Sequence, residues 1–561
     1  MTAMTAAESP ESPRSPVVSW GSAFVLIVIA LIAQLPLFDR SLVPMDEGHL
    51  LAAADAMGSG KRLYADIHTG IFPGIYLIAR LLLDVFGQDA IVLRWAAVVM
   101  NIAIALALHS VTRRMVAAHW SWLPPLLYLA LISVGFPVLS MFNYSTLSVC
   151  FGLVGLVFLL RYLEAGLRAD GILLGVFVAA AALTKQNFGG LIFIALFLAL
   201  LAGRHESALA RRSLPRILVP IAGAGLAVTA CVTIYFLSNG TFIEWLDATI
   251  FSLASSQLEN FNNPIPPLLG EHPRGDGRFT FLYTPPTLFN ALVHGVPFAG
   301  LEITPLLRSV SIRASYAVPL AALVAAPILL FLTRDWRTGS ARNAARASVL
   351  LAVIFAPGIF PSAIWSHLAF VMIPILPLFA LLGDRIEEWM RRNIGQKAVW
   401  SWRVLAGSLT AVALVVATRA AISVTGFYPE PLGLERASLR VSPLDARRLR
   451  GAVSFLHSCS EPGEPILALP DIPILYFLAD RPNPSPFDLA IPGNVDGELI
   501  AQNADAEGVR CAVLNPRMYP EFAPFEQLFP GLSLHLATHF RPAREIPSGR
   551  NHWLGLVRRA P

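Results

Sequence analysis

The chain has 561 residues, 55% of them hydrophobic and only 14% charged, with a net charge of +5 and a mean hydropathy of +0.60. A soluble protein carries about a quarter charged residues, so this composition excludes an ordinary soluble enzyme and calls for a polytopic membrane protein. The basic excess does not indicate nucleic acid, because Lys and Arg gather in short clusters between apolar runs, where they set membrane orientation. Four cysteines make neither a zinc framework nor a disulfide scaffold; Cys150 and Cys231 fall inside apolar runs and read as packing residues.

Residues 1–16, rich in Ser, Pro, Glu and Ala, read as a disordered cytosolic tail. The run that follows, Val17 to Phe38, is too long for the apolar core of a cleaved signal. It is the first of eleven runs suited to a hydrocarbon layer of roughly 30 Å, some of them short. The others centre on Arg94 to Val111, Trp122 to Leu139, Ser145 to Leu160, Ile172 to Leu183, Phe188 to Ala202, Ile217 to Leu237, Ala314 to Leu332, Ala347 to Phe360, Leu368 to Leu382 and Val404 to Thr418. Basic residues then fall in alternate loops: Arg113 and Arg114, Arg161 and Arg168, Arg204 with Arg211 and Arg212, Arg334 to Arg346, and Arg385 to Lys397. The positive-inside rule makes that side cytoplasmic, with the amino terminus inside and the region after the last span outside.

The outer side thereby receives the first loop, residues 39–93, a long loop, residues 238–313, and the carboxyl-terminal region. Ile71 to Phe86 is apolar but carries Arg80 and Asp84 four apart, which suits an interfacial helix with a side-chain pair. Phe242 to Leu258 and Thr284 to Phe298 have the same character. Beyond Thr418 the composition turns mixed and proline-rich, and residues 427–561 read as a separate domain. Ser442, Pro443 and Asp445 mark a helix start, running to about His457. Strands are expected at Ile466 to Leu469, Cys511 to Leu514 and Trp553 to Val557, with helices at Ile474 to Leu478 and Val495 to Asn503. The alternation predicts a small α/β domain. An extracytoplasmic compartment would permit Cys459 and Cys511, both within it, to pair. The fold class is therefore an α-helical polytopic membrane protein of about 11 transmembrane helices with a C-terminal extracytoplasmic α/β domain.

Chemistry concentrates in the first outer loop. Asp46 and Glu47 follow the first span by about eight residues, at the outer interface. A carboxylate partly desolvated there is suited to take a proton from an acceptor hydroxyl; solvated loop charges are the plain alternative. Glu47, His49, Asp66 and His68 offer carboxylate and imidazole ligands to a divalent metal, although spacing does not bring the two pairs together. Lys61, Arg62, His68, Lys185 and His367 are the outer-side groups able to meet an anion. Lys185 is foremost, since a cation at the end of a span is costly unless used or snorkelling. Phe142, Asn143 and Tyr144 form an outer turn able to stack on a ring or anchor at the interface. No Walker loop, no GxGxxG and no CxxC occurs, and no internal repeat is discernible.

Asp46-Glu47, followed by Gly60, Leu63-Tyr64, Asp66, Pro73, Tyr76, Gly87 and Arg94, resembles the first outer loop of the GT-C glycosyltransferases, in particular family 39 and its relatives among protein mannosyltransferases, aminoarabinose transferases and lipopolysaccharide galacturonosyltransferases. Leu183 to Asn187, His367 with Pro374 and Pro377, and Ile474 to Pro482 are similar in flavour. The resemblance implies a sugar donor on a polyprenyl phosphate, Asp46 as base, Glu47 as its helper or an ion ligand, and Tyr64 and Asp66 within the substrate-binding loop. It implies transfer with inversion to an outer acceptor, at a bacterial plasma membrane, with a metal needed only by some members. Where some relatives carry a Lys before the Pro that matches Pro73, this chain has Phe72. The rival readings are a transporter or flippase for lipid-linked sugars, which should show repeat symmetry and charges at mid-membrane, and a non-catalytic membrane scaffold.

Overall fold

The structure, a computed structural model, describes residues 20–252, 262–273, 277–285, 287, 305–332, 339–490, 495–518, 523–548 and 551–560. Helices α1 (Trp20–Gln34), α4 (Ala90–Met115), α5 (Leu123–Val134), α6 (Tyr144–Ala165), α7 (Arg168–Thr184), α8 (Gln186–Gly203) and α9 (Leu214–Ser238) make the first part of a bundle. Between α1 and α4 lie two shorter helices, α2 (Asp46–Gly58) and the amphiphilic α3 (Gly74–Phe86). After short helices α10 (Phe242–Leu246) and α11 (Gly277–Tyr283), the bundle is completed by α12 (Pro305–Leu332), α13 (Ser340–Phe355), α14 (Trp365–Asn393) and α15 (Gln396–Phe427).

Each of the eleven apolar runs thus contains a helix. Seven are long and apolar enough to cross a membrane: Ala90–Met115, Tyr144–Ala165, Gln186–Glu206, Leu214–Ser238, Arg308–Phe331, Trp365–Asn393 and Gln396–Phe427. Of the other four, α1 and α5 are shorter than their runs, with 15 and 12 residues, and α7 and α13 have 17 and 16. At 1.5 Å per residue, a helix of 12 residues such as α5 covers about 18 Å, less than the hydrocarbon thickness. The remainder of its run is a 3-10 turn at one end and an irregular turn at the other, whose backbone polar groups are met by neighbouring helices. Bare apolar side chains mark the outside of the bundle: on α15, Val404, Leu409, Val412 and Val415 are exposed, as lipid-facing residues must be.

The loops grouped by their basic residues do meet at one end. Arg114 reaches Glu164 at 3.0 Å, Arg212 donates to the Gly166 carbonyl, Arg346 meets Glu206 at 3.1 Å, and His119 meets Glu387 at 2.9 Å. The opposite end carries α2, α3 and the C-terminal domain. There α3 shows the expected Arg80–Asp84 pair. Of the two further interfacial segments, the first supplies α10 and a π-helical turn, Asp247–Phe251; its end, and most of Thr284 to Phe298, lie outside the described residues.

The C-terminal domain begins with a ribbon of β1 (Glu430–Pro431) and β2 (Arg440–Val441), then runs α16 (Pro443–Cys459), β3 (Ile466–Leu469), α17 (Ile474–Ala479), α18 (Gly497–Ala506), β4 (Cys511–Leu514), α19 (Phe525–Leu528), α20 (Pro530–His539), β5 (Phe540–Ser548) and β6 (Asn551–Arg558). Ser442 caps α16 by accepting from the Asp445 amide. The sheet order is β3-β4-β6-β5, with β3 and β4 parallel and the other pairs antiparallel. Alternation along the strands sends Ile466, Ala468, Cys511 and Val513 to the core shared with the bundle, and Leu467, Leu469 and Ala512 to a second core under α18 and α20. Cys459 on α16 and Cys511 on β4 form a disulfide with a Cα separation of 6.0 Å, tying that helix to the sheet it covers.

Helix α17 packs on α2, and the contact dictates a glycine. A Cβ on Gly48 would lie 2.6 Å from the Ile474 backbone nitrogen, so only glycine admits the approach. Further ties hold the domain to the first loop: the Ser41 amide donates to Arg440 at 2.8 Å and the Ala90 amide to Arg436 at 3.0 Å, while Arg436 bridges Asp55 of α2 and Asp480.

Candidate functional site

Asp46 and Glu47 open α2, where the positive end of the helix favours carboxylates, but successive helical residues face different directions and their fates diverge. Glu47 turns inward. Its carboxylate accepts from the Arg94 guanidinium at 2.6 Å and from the Val43 amide at 2.9 Å. Arg94 is 0% exposed and also donates to the Ser41 carbonyl at 2.8 Å. Through Oε2, Glu47 holds a buried arginine that would otherwise be an uncompensated charge.

Asp46 keeps its carboxylate clear. Among the described residues it makes no hydrogen bond and no ion pair. Its side chain is solvent-accessible, with the charges of His49 and Glu47 nearby. Burial raises its pKa above the usual carboxylate range; the His49 charge opposes the shift and Glu47 adds to it.

The Asp46 charge is felt by Tyr144, the first residue of α6. The Tyr144 ring lies 5.1 Å from the Lys185 ammonium. Lys185 occupies the break between α7 and α8 and is buried. Its Nζ donates to Ser145 Oγ at 2.8 Å and sits 3.8 Å from the Phe188 ring centroid. Among the described residues it has no carboxylate partner. Ring faces and one hydroxyl compensate a buried ammonium only in part. His367, at the start of α14, lies within the electrostatic reach of Lys185. The structure therefore strings Asp46, Tyr144, Lys185 and His367 together at one end of the bundle. Next to Lys185, Gln186 donates to the Gly70 carbonyl at 2.8 Å and so fixes the first loop against α8. Phe72 packs edge-on to Trp245 at 5.7 Å and supplies wall rather than charge.

The other candidates from the first loop are engaged elsewhere. Arg62 and Asp66 pair with each other at 3.1 Å on the surface, as their four-residue spacing allows, and are set apart from Lys185. Lys61 donates to the Asn483 carbonyl of the C-terminal domain, and burial lowers its pKa. Tyr64 donates its hydroxyl to the Ile71 carbonyl at 2.7 Å and packs on Phe236, a loop-stiffening role. His68 lies against the Phe487 ring at 4.9 Å. His49 bonds Asp488 through Nδ1 at 2.8 Å and the Tyr76 hydroxyl through Nε2 at 2.8 Å. The proposed metal ligands Glu47, His49, Asp66 and His68 thus have four separate sets of partners, and among the described residues no three His, Cys, Asp or Glu side chains gather to hold a metal.

Arg94 stands among the residues that carry the family resemblance, but its pairing with Glu47, 47 positions away, and two further members of this region have no signal in the sequence. Asp488 gave no local signal, because its partner lies 439 residues away. Ser145 looked like part of an apolar run.

A bundle of this topology, with two short helices after the first span, an acidic residue opening the first of them and an α/β domain docked over it, has the GT-C fold, as the structural similarities below show. More particularly, residues 68–236 match the family model for dolichyl-phosphate-mannose-protein mannosyltransferase. The chain is similar in structure to ArnT from Cupriavidus metallidurans bound to undecaprenyl phosphate, with a TM-score of 0.56, 14% identity, and coverage of 97% of this chain and 99% of that one. The apo form of the same protein gives a TM-score of 0.52 at 14% identity, covering 96% and 98%. The Archaeoglobus fulgidus oligosaccharyltransferase in complex with Zn and sulfate gives a TM-score of 0.50 at 12% identity, covering 96% of this chain and 73% of that one. Comparison with curated proteins by sequence returns no match.

Proposed function

We propose that this chain is an integral-membrane glycosyltransferase that moves a sugar from a polyprenyl-phosphate donor to an acceptor hydroxyl by inverting displacement. The observation that carries the reading is the contrast at the start of α2: Glu47 pairs with the buried Arg94 through Oε2, while among the described residues the Asp46 carboxylate makes no hydrogen bond or ion pair. The matched family model is named for a dolichyl-phosphate-mannose donor, and the similar ArnT structure holds undecaprenyl phosphate; both support a lipid phosphate as the leaving group.

In this reading Asp46 takes the proton of the acceptor hydroxyl as its oxygen attacks the anomeric carbon. The new C–O bond forms opposite the bond to the phosphate, whose electron pair leaves with the phosphate oxygen. Only one base is needed, because the phosphate departs as an anion without protonation. Lys185 receives that anion, which completes the charge balance its present surroundings lack. Burial, which raises the pKa of Asp46, makes the carboxylate a stronger base than one in water. Basic loops at the far end of the bundle favour a cytoplasmic amino terminus, and hence chemistry at the outer face of a bacterial plasma membrane.

The test incubates purified protein with a panel of polyprenyl-phosphate sugars and acceptors and follows release of free polyprenyl phosphate. Wild type should release it with at least one donor, and Asp46→Asn should be slower by about 10²–10⁴-fold. Full activity in a folded Asp46→Asn protein ends the assignment of the base.

A further inference from the structure

A cavity of about 330 Å³ lies between α2, the turn that follows it and the C-terminal domain, within the size range of small-molecule sites, roughly 300–1,000 Å³. Its floor includes Ala53 and Ala56 of α2; Lys61 stands at one side, and Tyr476, Asn483, Ser485 and Asp488 of the C-terminal domain close the other. No residue assigned above to the base or the phosphate lines it.

Its relation to Asp46 follows from helix geometry. Asp46, His49, Ala53 and Ala56 recur at i, i+3, i+7 and i+10, so they share one face of α2. From Asp46 to Ala53 is seven residues, about 10 Å along the axis. His49 lies between, held by Asp488, and Asp488 is itself part of the cavity wall. The cavity and the base are consecutive stations along one helix face, with the His49–Asp488 pair beside the path from one to the other.

The lining selects a chemistry. Alanines in the floor leave room for a ring, and one aromatic residue, Tyr476, stands beside amide, hydroxyl and ammonium groups. The carboxylates Asp55 and Asp480 share Arg436, Asp66 pairs with Arg62 and Asp488 with His49, while Lys61 and Arg481 add cationic groups to the lining. Charges of the two signs are close to balanced round the wall, which offers hydrogen bonds to a neutral ligand. A peptide added as a strand is disfavoured, because β3 is buried throughout and its Ile466 amide already donates to Pro482.

We propose that this cavity is the acceptor subsite, taking a neutral oligosaccharide head of two or more rings whose reactive hydroxyl passes His49 to reach Asp46. A ligand that fills the cavity and also meets the base must span about 10 Å, more than a single pyranose. The direction of transfer rests on the glycosyltransferase reading; binding in the cavity does not.

The test is isothermal titration of the full-length chain in lipid nanodiscs with chito-, cello- and mannotetraose, each free and carried on a single acyl chain. At least one should bind. Ala56→Phe, which fills the floor, and Ser59→Trp, at the exposed rim, should each raise its Kd tenfold or more. Thermal melts check folding, and Ser59→Trp keeps the test decisive should Ala56→Phe not fold. Equal affinity for the free and acylated forms identifies a soluble glycan, and tighter binding of the acylated form a glycolipid; either supports the subsite. Absence of binding by all six probes, or affinity indifferent to the substitutions, overturns it. Binding without any sugar transfer would leave the subsite standing and remove the glycosyltransferase reading instead.

Discussion

The two ends of the bundle carry their charges differently. At the basic end, Glu387 accepts from Trp120 at 3.0 Å, Arg391 at 2.6 Å and Arg403 at 2.5 Å, and meets His119 at 2.9 Å; Asp384 accepts from the Ala117 amide at 3.0 Å. At the α2 end, Asp46 has no such partner and Lys185 has one hydroxyl. A saturated network holds helices in register, and adding a ligand to it would cost contacts already made. An unsaturated one is stabilised by whatever completes it. The contrast also runs within two adjacent residues, since Glu47 is of the first kind and Asp46 of the second.

Substitutions that remove one partner separate the two kinds. Glu47→Ala should lower the stability of the folded protein by about 3–5 kcal/mol, because Arg94 is left buried and unpaired, and thermal unfolding in detergent should show it. Glu47→Gln with Arg94→Met should recover much of the loss; no recovery would mean that Glu47 is needed for something besides Arg94. Lys185→Met should behave in the opposite way, with little change in melting but a KM for the lipid donor raised about 10–100-fold, the value of one charge-assisted contact at roughly 1.5–3 kcal/mol. Equal weakening towards donor and acceptor would count against a phosphate role.

Asp471 tests whether an unpaired carboxylate is by itself a sign of function. It lies in the C-terminal domain, buried, accepting from Asn515 at 2.8 Å, and burial lifts its pKa to about 6, against the opposing Asn515 bond. Because the folded value exceeds the unfolded one, its contribution is fully present below pH 4 and is lost as pH rises through about 6. Asp471→Asn should therefore stabilise the protein by about 3 kcal/mol at pH 7.5 and by much less at pH 4, with transfer unchanged. A loss of transfer would show that this site, too, belongs to the machinery. The smallest effect is expected for Glu387→Gln, about 1 kcal/mol in stability, since its cationic partners are largely exposed and partly screened. Its kcat should stay within about twofold; a larger fall would erase the distinction between the two ends.

Much of this was legible in advance where the signal is local. Strands Ile466–Leu469 and Cys511–Leu514 occur where the short apolar runs placed them, and the Ser442 cap starts α16. Strand β5, which contains Pro542 and Pro547, is not among the expected strands. It is an edge strand, the one position where a sheet tolerates residues without an amide donor. Helix α20, with two histidines and little periodicity, gave no pattern to read.

Hydrophobic run length and basic loops alone determined a polytopic bundle with an acidic pair at one end and a separate domain after it, because burial in lipid and charge asymmetry act along the chain. Which carboxylate is free, which cation lacks a partner and where the first loop ends up against the C-terminal domain were decided only by the tertiary structure. The reason is physical: Arg94 selects Glu47 from 47 positions away and Asp488 selects His49 from 439 away, and a pairing energy between groups brought together by packing leaves no periodicity in the sequence that encodes it.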